Sequence, residues 1–290
     1  MNMEQLKRKA NQLRAEVLKM VTNANSGHPG GALGMADILA VLHYEYIDDR
    51  PGNPDWEGRD RFLLSNGHTC PILYAILADK GYFPKEELKH LRKLGALLQG
   101  HPSTARGTPG VELSSGSLGH GLSVASGVAL AGRLDGRNYK TFCSISDAEC
   151  QEGQTWEAAA VANDKSLGNL CAIVDYNDSQ IDGKVHQVMD VKPLSDKWNS
   201  FGWRVFEIDG HNYQEIRQSL DKFSTKSSPA GQPTVIISHN VLGKGVSFME
   251  DDHTWHHGVL SEEQLKQAVR ELGERGLPDS QLDLSDKLFS

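Results

Sequence analysis

Short apolar runs alternate along this chain with stretches of helical periodicity, and that alternation is what most restricts its fold. The runs fall at 61–64, 141–146, 170–176, 203–208 and 234–238. Most are nearly continuous in apolar residues, the pattern of strands buried on both faces. Between them, apolar side chains recur three or four apart. Leu6, Ala10, Leu13, Val17 and Val21 mark a helix over 3–24, and Met35, Ile38, Leu39, Leu42 and Tyr46 mark a second. Further helices are expected over 71–79, 84–94, 118–133, 152–163 and 213–223, with loops at 25–31, 95–115 and 224–233. Strands separated by helices pair in parallel, because a parallel neighbour needs a long crossover. The expected fold class is α/β, a doubly wound parallel sheet with helices on both faces.

The 290 residues leave room for one large or two small domains, and the even alternation favours one domain over 1–290, with a polar tail at 278–290. A formal charge of −8 speaks against a nucleic-acid surface, which would need a basic stripe. No apolar run reaches membrane-spanning length, so no membrane partner is expected. Residues 1–14 are polar and lack a signal core, which makes the cytoplasm the expected compartment. Cys70, Cys143, Cys150 and Cys171 show no paired spacing, so neither a disulfide framework nor a zinc site is expected.

Two strands run into oxygen donors. The run 141–145 leads into Ser146-Asp147-Ala148-Glu149, and the run 170–174 into Asp175-Tyr176-Asn177. In an open parallel sheet, ligands bind beyond the strand C-terminal ends. A carboxylate and an amide oxygen suit Mg²⁺, which keeps other positions for water or phosphate. The pair points to a metal-bridged diphosphate, although Asp147 could instead simply cap the helix that follows. Among the histidines, His28, His68, His101, His120, His256 and His257 stand in loops, most beside glycine. A lone loop histidine is ordinarily just solvated. Several at element ends can converge on one sheet edge, where neutral imidazoles contact phosphate, shuttle protons or bind hydroxyls. His239, just past a strand, could line the same pocket. Gly116-Ser117-Leu118-Gly119-His120-Gly121 has the form of a phosphate-cradling turn before a helix, with close helix packing as the competing explanation.

Taken in order, these motifs resemble the N-terminal half of transketolase, a thiamine-diphosphate enzyme that moves two-carbon ketol units between sugar phosphates. The resemblance covers about 10–260. It rests on Ser26-Gly27-His28-Pro29-Gly30, Ser65-Asn66-Gly67-His68, Gln99-Gly100-His101-Pro102, the Gly116–Gly121 turn, Asp147 with Glu152-Gly153 and Trp156-Glu157-Ala158, Asn177 with Ile181-Asp182-Gly183, and Gly243-Lys244-Gly245.

The resemblance implies that the Asp147 and Asn177 side chains and the Ser179 carbonyl hold Mg²⁺, or Ca²⁺ or Mn²⁺ in its place, and that the metal holds the diphosphate of thiamine diphosphate. It implies cofactor contacts from His68, Gly116, Ser117, Leu118 and Gly119, and a cofactor-binding wall from Ser146, Ala148, Glu149, Ile181 and His239. His28 and His101 would face the reacting carbon, joined by His256 or His257. In two ways the chain departs from the pattern. The family's Gly-Asp-Gly is Ser146-Asp147-Ala148 here, and a full transketolase is far longer than this chain. The missing length implies a separate C-terminal transketolase subunit that supplies the pyrimidine-binding half, in an α₂β₂ heterotetramer acting on sugar phosphates. The competing readings are another two-chain thiamine enzyme (1-deoxyxylulose-phosphate synthase-like or 2-oxoacid dehydrogenase α-like) and a non-catalytic partner subunit.

Overall fold

The computed structural model describes residues 1–224 and 231–274; most of the expected loop at 224–233 and the polar tail at 278–290 lie outside the described residues. Helix α1 (Met3–Ala24) begins with a capping box. Asn2 Oδ1 accepts from the Gln5 N–H at 2.9 Å, and Gln5 Oε1 accepts from the Asn2 N–H at 2.8 Å. It ends at Asn25, whose φ of 49° is a left-handed stop. The expected loop at 25–31 is corrected at its end: Pro29 at the first helical position opens a short helix α2 (Pro29–Gly34), and the second expected helix follows as α3 (Ala36–Val41), ending in a π-helical turn at Leu42–Tyr46. Then come β1 (Arg61–Leu64) and α4 (Cys70–Lys80).

Two expected helices need correction. Over 84–94 there is only a 3₁₀ stretch, Lys85–His90, and Arg92 beyond it takes φ 61°. Helix α5 (Gly121–Leu134) begins later than 118, because Gly119 takes φ 85°, which no right-handed helix admits. The chain continues through β2 (Thr141–Ser146), α6 (Gly153–Asp164) and β3 (Leu170–Tyr176). A small hairpin, β4 (Ser179–Gln180) with β5 (Gly183–Lys184), leads into α7 (Val185–Val188) and α8 (Leu194–Ser200). Next are β6 (Arg204–Asp209), α9 (Tyr213–Ser224), β7 (Thr234–His239) and α10 (Glu262–Glu274).

The five long strands form one parallel sheet in the order β1-β2-β3-β7-β6. Alternate residues face two separate cores. Phe142, Cys171, Ile173 and Ile236 pack with α1, α3, α4, α9 and α10, whereas Cys143, Ile145, Ala172, Val174, Val235 and Ile237 pack with α5, α6 and α8. This two-sided burial explains the continuous apolar runs. Among the described residues, no helix is long and apolar enough to cross a membrane. All four cysteines are free and buried.

A buried ionic network ties the first helices to the far end of the sheet. Asp37 accepts from Arg14 at 2.6 Å, from Tyr213 Oη at 2.6 Å and from His211 Nδ1 at 2.7 Å. His211 Nε2 in turn accepts from the Val241 N–H at 2.9 Å. Burial alone would raise the Asp37 carboxyl, but Arg14 and the His211 hydrogen bond hold it well below the usual carboxylate range. The loop that leaves β7 is thereby fixed beside α2, whose Gly30 carbonyl accepts from the Gly243 N–H at 2.9 Å.

Candidate active site

Register brings the donors together. Ser146 at the end of β2 lies opposite Asp175 on β3, and Tyr176 lies opposite His239 on β7. Asp147 then caps the 3₁₀ turn Ala148–Gln151, its oxygens accepting from the Ala148 N–H at 2.8 Å and the Asp178 N–H at 2.7 Å. Ser146 and Glu149 close a capping box around it: Ser146 Oγ accepts from the Glu149 N–H at 3.2 Å, and Glu149 Oε2 accepts from the Ser146 N–H at 2.9 Å. Neither Ser146 nor Ala148 has positive φ, so the backbone here does not require the glycines of the family pattern.

Glu149 is fully buried, and its carboxylate is taken up by protein partners. Its other oxygen accepts from Ser65 Oγ in a short hydrogen bond and from the Gly119 N–H at 2.9 Å. It braces the Gly116–Gly121 turn from behind. Burial raises its pKa, and these hydrogen bonds oppose the rise. The turn admits little else: a β-carbon on Gly119 would come 2.8 Å from Glu152 Cβ, and one on Gly116 would come 3.1 Å from the His101 ring.

The oxygen donors lie in one patch. Asn177 Oδ1 accepts from the Ser179 N–H at 2.9 Å, and Asn177 Nδ2 donates to Asp175 at 2.8 Å. Asp175 also accepts from Asn240 at 2.6 Å. Ser179 Oγ is buried without a partner. Burial and the nearby Asp175 charge push the Asp147 carboxyl up to about 8, and burial pushes Asp175 up to about 7. Two buried carboxyls next to an orphaned hydroxyl fit the chemistry of a cation site. Among the described residues, no three His, Cys, Asp or Glu side chains converge on a metal. A cation here would therefore take Asp147, the Asn177 amide and a Ser179 oxygen, and complete its shell from phosphate and water, as Mg²⁺ does.

Above this patch is a cavity of about 310 Å³ lined by His28, His68, His101, Gly116, Leu118, Ser146, Ala148, Gln151, Glu152, Asp175, Asn177, Ser179, Gln180, Ile181, Asp182 and His256. The imidazoles surround His28, with ring centroids 4.8 Å away for His257, 5.3 Å for His68, 5.7 Å for His256 and 6.2 Å for His101. Burial first, then the neighbouring rings and Arg92, lower His28 to about 3. Burial lowers His68, His101 and His256 as well. These four rings are neutral near pH 7, and His28 Nδ1 is buried without a partner.

Both members of the His256-His257 pair reach the cluster, His256 on the wall and His257 against His28. His120 and Ser117 are exposed and stand outside the lining. His239 stands outside this lining: it pairs with Glu207 at 2.7 Å and packs on Tyr176 in a second cleft. Sequence reasoning passed over Gln151, Glu152, Asp175, Gln180 and Asp182 as lining residues. The signal for Asp175 was a carboxylate inside an otherwise apolar strand.

A patch of buried oxygen donors beneath neutral imidazoles, at the C-terminal edge of a parallel sheet, fits a protein that holds a diphosphate-bearing cofactor. The chain belongs to the transketolase family: the family described as transketolase, thiamine diphosphate binding domain, matches residues 5–284. It is 41% identical over 271 residues to the 6-deoxy-6-sulfo-D-fructose transketolase subunit SqwG of Clostridium sp. (strain MSTE9), covering 93% of this chain and 97% of that one. It is 38% identical over 275 residues to one of the apulose-4-phosphate transketolase subunits of Phocaeicola vulgatus, covering 95% and 96%. The transketolase structure from Campylobacter jejuni superposes with a TM-score of 0.88 at 35% identity, covering 99% of this chain but 46% of that one. The chain thus has the length of the separate subunits and less than half that of the one-chain enzyme. It is an N-terminal subunit of transketolase, a transferase component with a thiamine-diphosphate-binding domain.

Proposed function

We propose that this chain, working as one domain, is the metal- and diphosphate-binding half of a two-chain cytoplasmic transketolase. The complete enzyme moves a two-carbon ketol unit from a ketose with an anionic end to an aldose. The observation that carries this reading is the ring of neutral imidazoles directly above the Asp147–Asn177–Ser179 patch. Asp147, Asn177 and Ser179 hold Mg²⁺, and the Gly116–Gly119 turn receives the diphosphate. When bound, thiamine diphosphate supplies the electron sink for breaking a carbon–carbon bond beside a carbonyl. The chain's own residues orient the sugar and move its protons. A neutral imidazole offers one N–H donor and one acceptor nitrogen, so His28, His101 and His256 can each bind a hydroxyl and exchange its proton. His257 buttresses His28, and His68 meets the cofactor.

A C-terminal subunit completes the site. Supporting this, Ile181 lines the cavity yet is 68% exposed, and Val188 and Met189 beside it are about half exposed. Such an apolar rim is what a docking chain covers. The assembly proposed is an α₂β₂ heterotetramer. The two relatives of similar length are named for 6-deoxy-6-sulfo-D-fructose and for apulose-4-phosphate, and this chain is proposed to act on the same kind of anionic sugar. Other two-chain thiamine enzymes are not favoured by this kinship. The test is co-purification with the partner, then two-carbon transfer measured over a sugar panel with Asp147→Ala as control. Unchanged magnesium-dependent turnover in the variant would refute the metal assignment, and a complex that retains no thiamine diphosphate would leave a non-catalytic subunit.

A further inference from the structure

Arg92 is absent from the cavity lining, yet it sits behind two of its histidines. Its φ of 61° lies in the left-handed region, where residues with a β-carbon are uncommon. Its N–H donates to the Leu98 carbonyl at 2.9 Å, which closes the loop 93–97 on itself. From this pinned backbone the guanidinium reaches two other loops. Nη1 donates to Ser26 Oγ at 2.9 Å, and Nη2 donates to the Gly100 carbonyl at 3.3 Å. Ser26 leads through Gly27 to His28, and Gly100 directly precedes His101. The fit is close: a β-carbon at Gly100 would lie 2.7 Å from the guanidinium carbon. Among the described residues, no carboxylate forms an ion pair with Arg92. A partly buried cation without an acidic partner is a poor stabilising device, so its value lies in what it holds.

We propose that Arg92 is a positioning residue, a clamp that joins the Ser26–His28 and Gly100–His101 loops so that the two imidazoles face the same reacting carbon. This rests on the roles given above to His28 and His101. The cation has a second effect. Both rings lie in its field, and a neighbouring positive charge disfavours their protonation. The other groups facing His28 are His68, His101, His256 and His257, and among the charged groups only Arg92 adds to burial at His101. Cys70 and Tyr74 on α4 also feel this charge, but both carry raised pKa values and stay neutral. His256 feels His257 and burial, not Arg92. It serves as the internal control.

The test reads the rings directly, by following their C2–H resonances against pH in the full chain as wild type, Arg92→Met and Arg92→Lys. Expected is a rise in the His101 pKa of about half a unit or more in Arg92→Met, its return in Arg92→Lys, and an unmoved His256. This arm needs no partner, cofactor or turnover, so it reads the placement of the Arg92 charge beside His101 even where ketol transfer fails, and the forked contact itself is read by Arg92→Lys in the reconstituted enzyme. In the reconstituted enzyme both variants should lose about tenfold or more in kcat/KM, because neither rebuilds the forked contact. Only Arg92→Met should move the acid limb to higher pH. Arg92→Gly, which suits the left-handed φ, replaces Arg92→Met if the latter does not fold. An unshifted His101, or an Arg92→Lys enzyme as active as wild type, would overturn the proposal.

Discussion

Asp147→Asn should make the metal-free chain more stable and deprive it of any gain from metal. Burial and Asp175 push the Asp147 carboxyl from 3.8 up to about 8, whereas the unfolded chain ionises it near its ordinary value. A carboxyl raised in the folded state destabilises once pH exceeds the unfolded value, and the loss grows until the folded value is reached. At pH 7 that span amounts to about 4 kcal/mol, at about 1.4 kcal/mol per unit. An amide has no such cost. It does lose one of the two backbone hydrogen bonds from Ala148 and Asp178, since it presents a donor where a carboxylate accepts. That loss is about 1–3 kcal/mol. The variant should therefore gain about 1–3 kcal/mol, a few degrees in Tm for a chain of this size. Calorimetry at pH 7 in chelator reads this difference. Repeating it with Mg²⁺ and thiamine diphosphate should raise the wild-type Tm and leave the variant unmoved. A variant that melts below wild type in chelator, or that gains as much from metal, would refute the reasoning.

Three further outcomes are expected. His43 is buried with both ring nitrogens unpartnered, and burial then the Lys80 charge hold its pKa well below 6.5. His43→Leu should stabilise by about 1–2 kcal/mol at pH 7.5. Because a lowered histidine loses stability as pH falls below 6.5, the gap should widen by about 1.4 kcal/mol per pH unit below that point, read by urea unfolding. Gly119→Ala places a β-carbon 2.8 Å from Glu152 Cβ at φ 85°, so it should cost about 1–3 kcal/mol and weaken thiamine diphosphate binding in calorimetric titration. Ser146→Ala should cost about 1 kcal/mol through the lost cap. Restoring both family glycines, Ser146→Gly with Ala148→Gly, should leave cofactor affinity unchanged in the same titration.

The sheet was legible because Phe142, Ile173 and Val235 are buried on one side or the other and leave an unbroken apolar trace. The placement of Asp147 and Asn177 at one sheet edge was legible because each directly follows an apolar strand run. Other features left weaker marks. The hairpin at Ser179–Lys184 has two-residue strands, too short for any period to register. Helix α10 was not among the expected helices; Leu265, Ala268, Val269 and Leu272 hold it in the core that α1 shares. The partners of Glu149 at its capped turn, Ser65 and Gly119, are distant in sequence and left no mark in it. The same holds for Glu207, which pairs with His239 at the end of β7. Arg92 gave no sign, since its φ and its reach across two loops are tertiary facts.

The cavity lining holds imidazoles, carboxylates and amides, and among the described residues neither a lysine nor an arginine lines it. Such a wall suits hydroxyls, and it offers no lysine or arginine to the anionic end of the sugar proposed above. On that proposal, recognition of the anionic end falls to the partner subunit. On the two-chain reading proposed above, chemistry and selectivity would be carried on different polypeptides, so that a new donor sugar could be acquired by changing the partner while the histidine wall of this chain stays as it is.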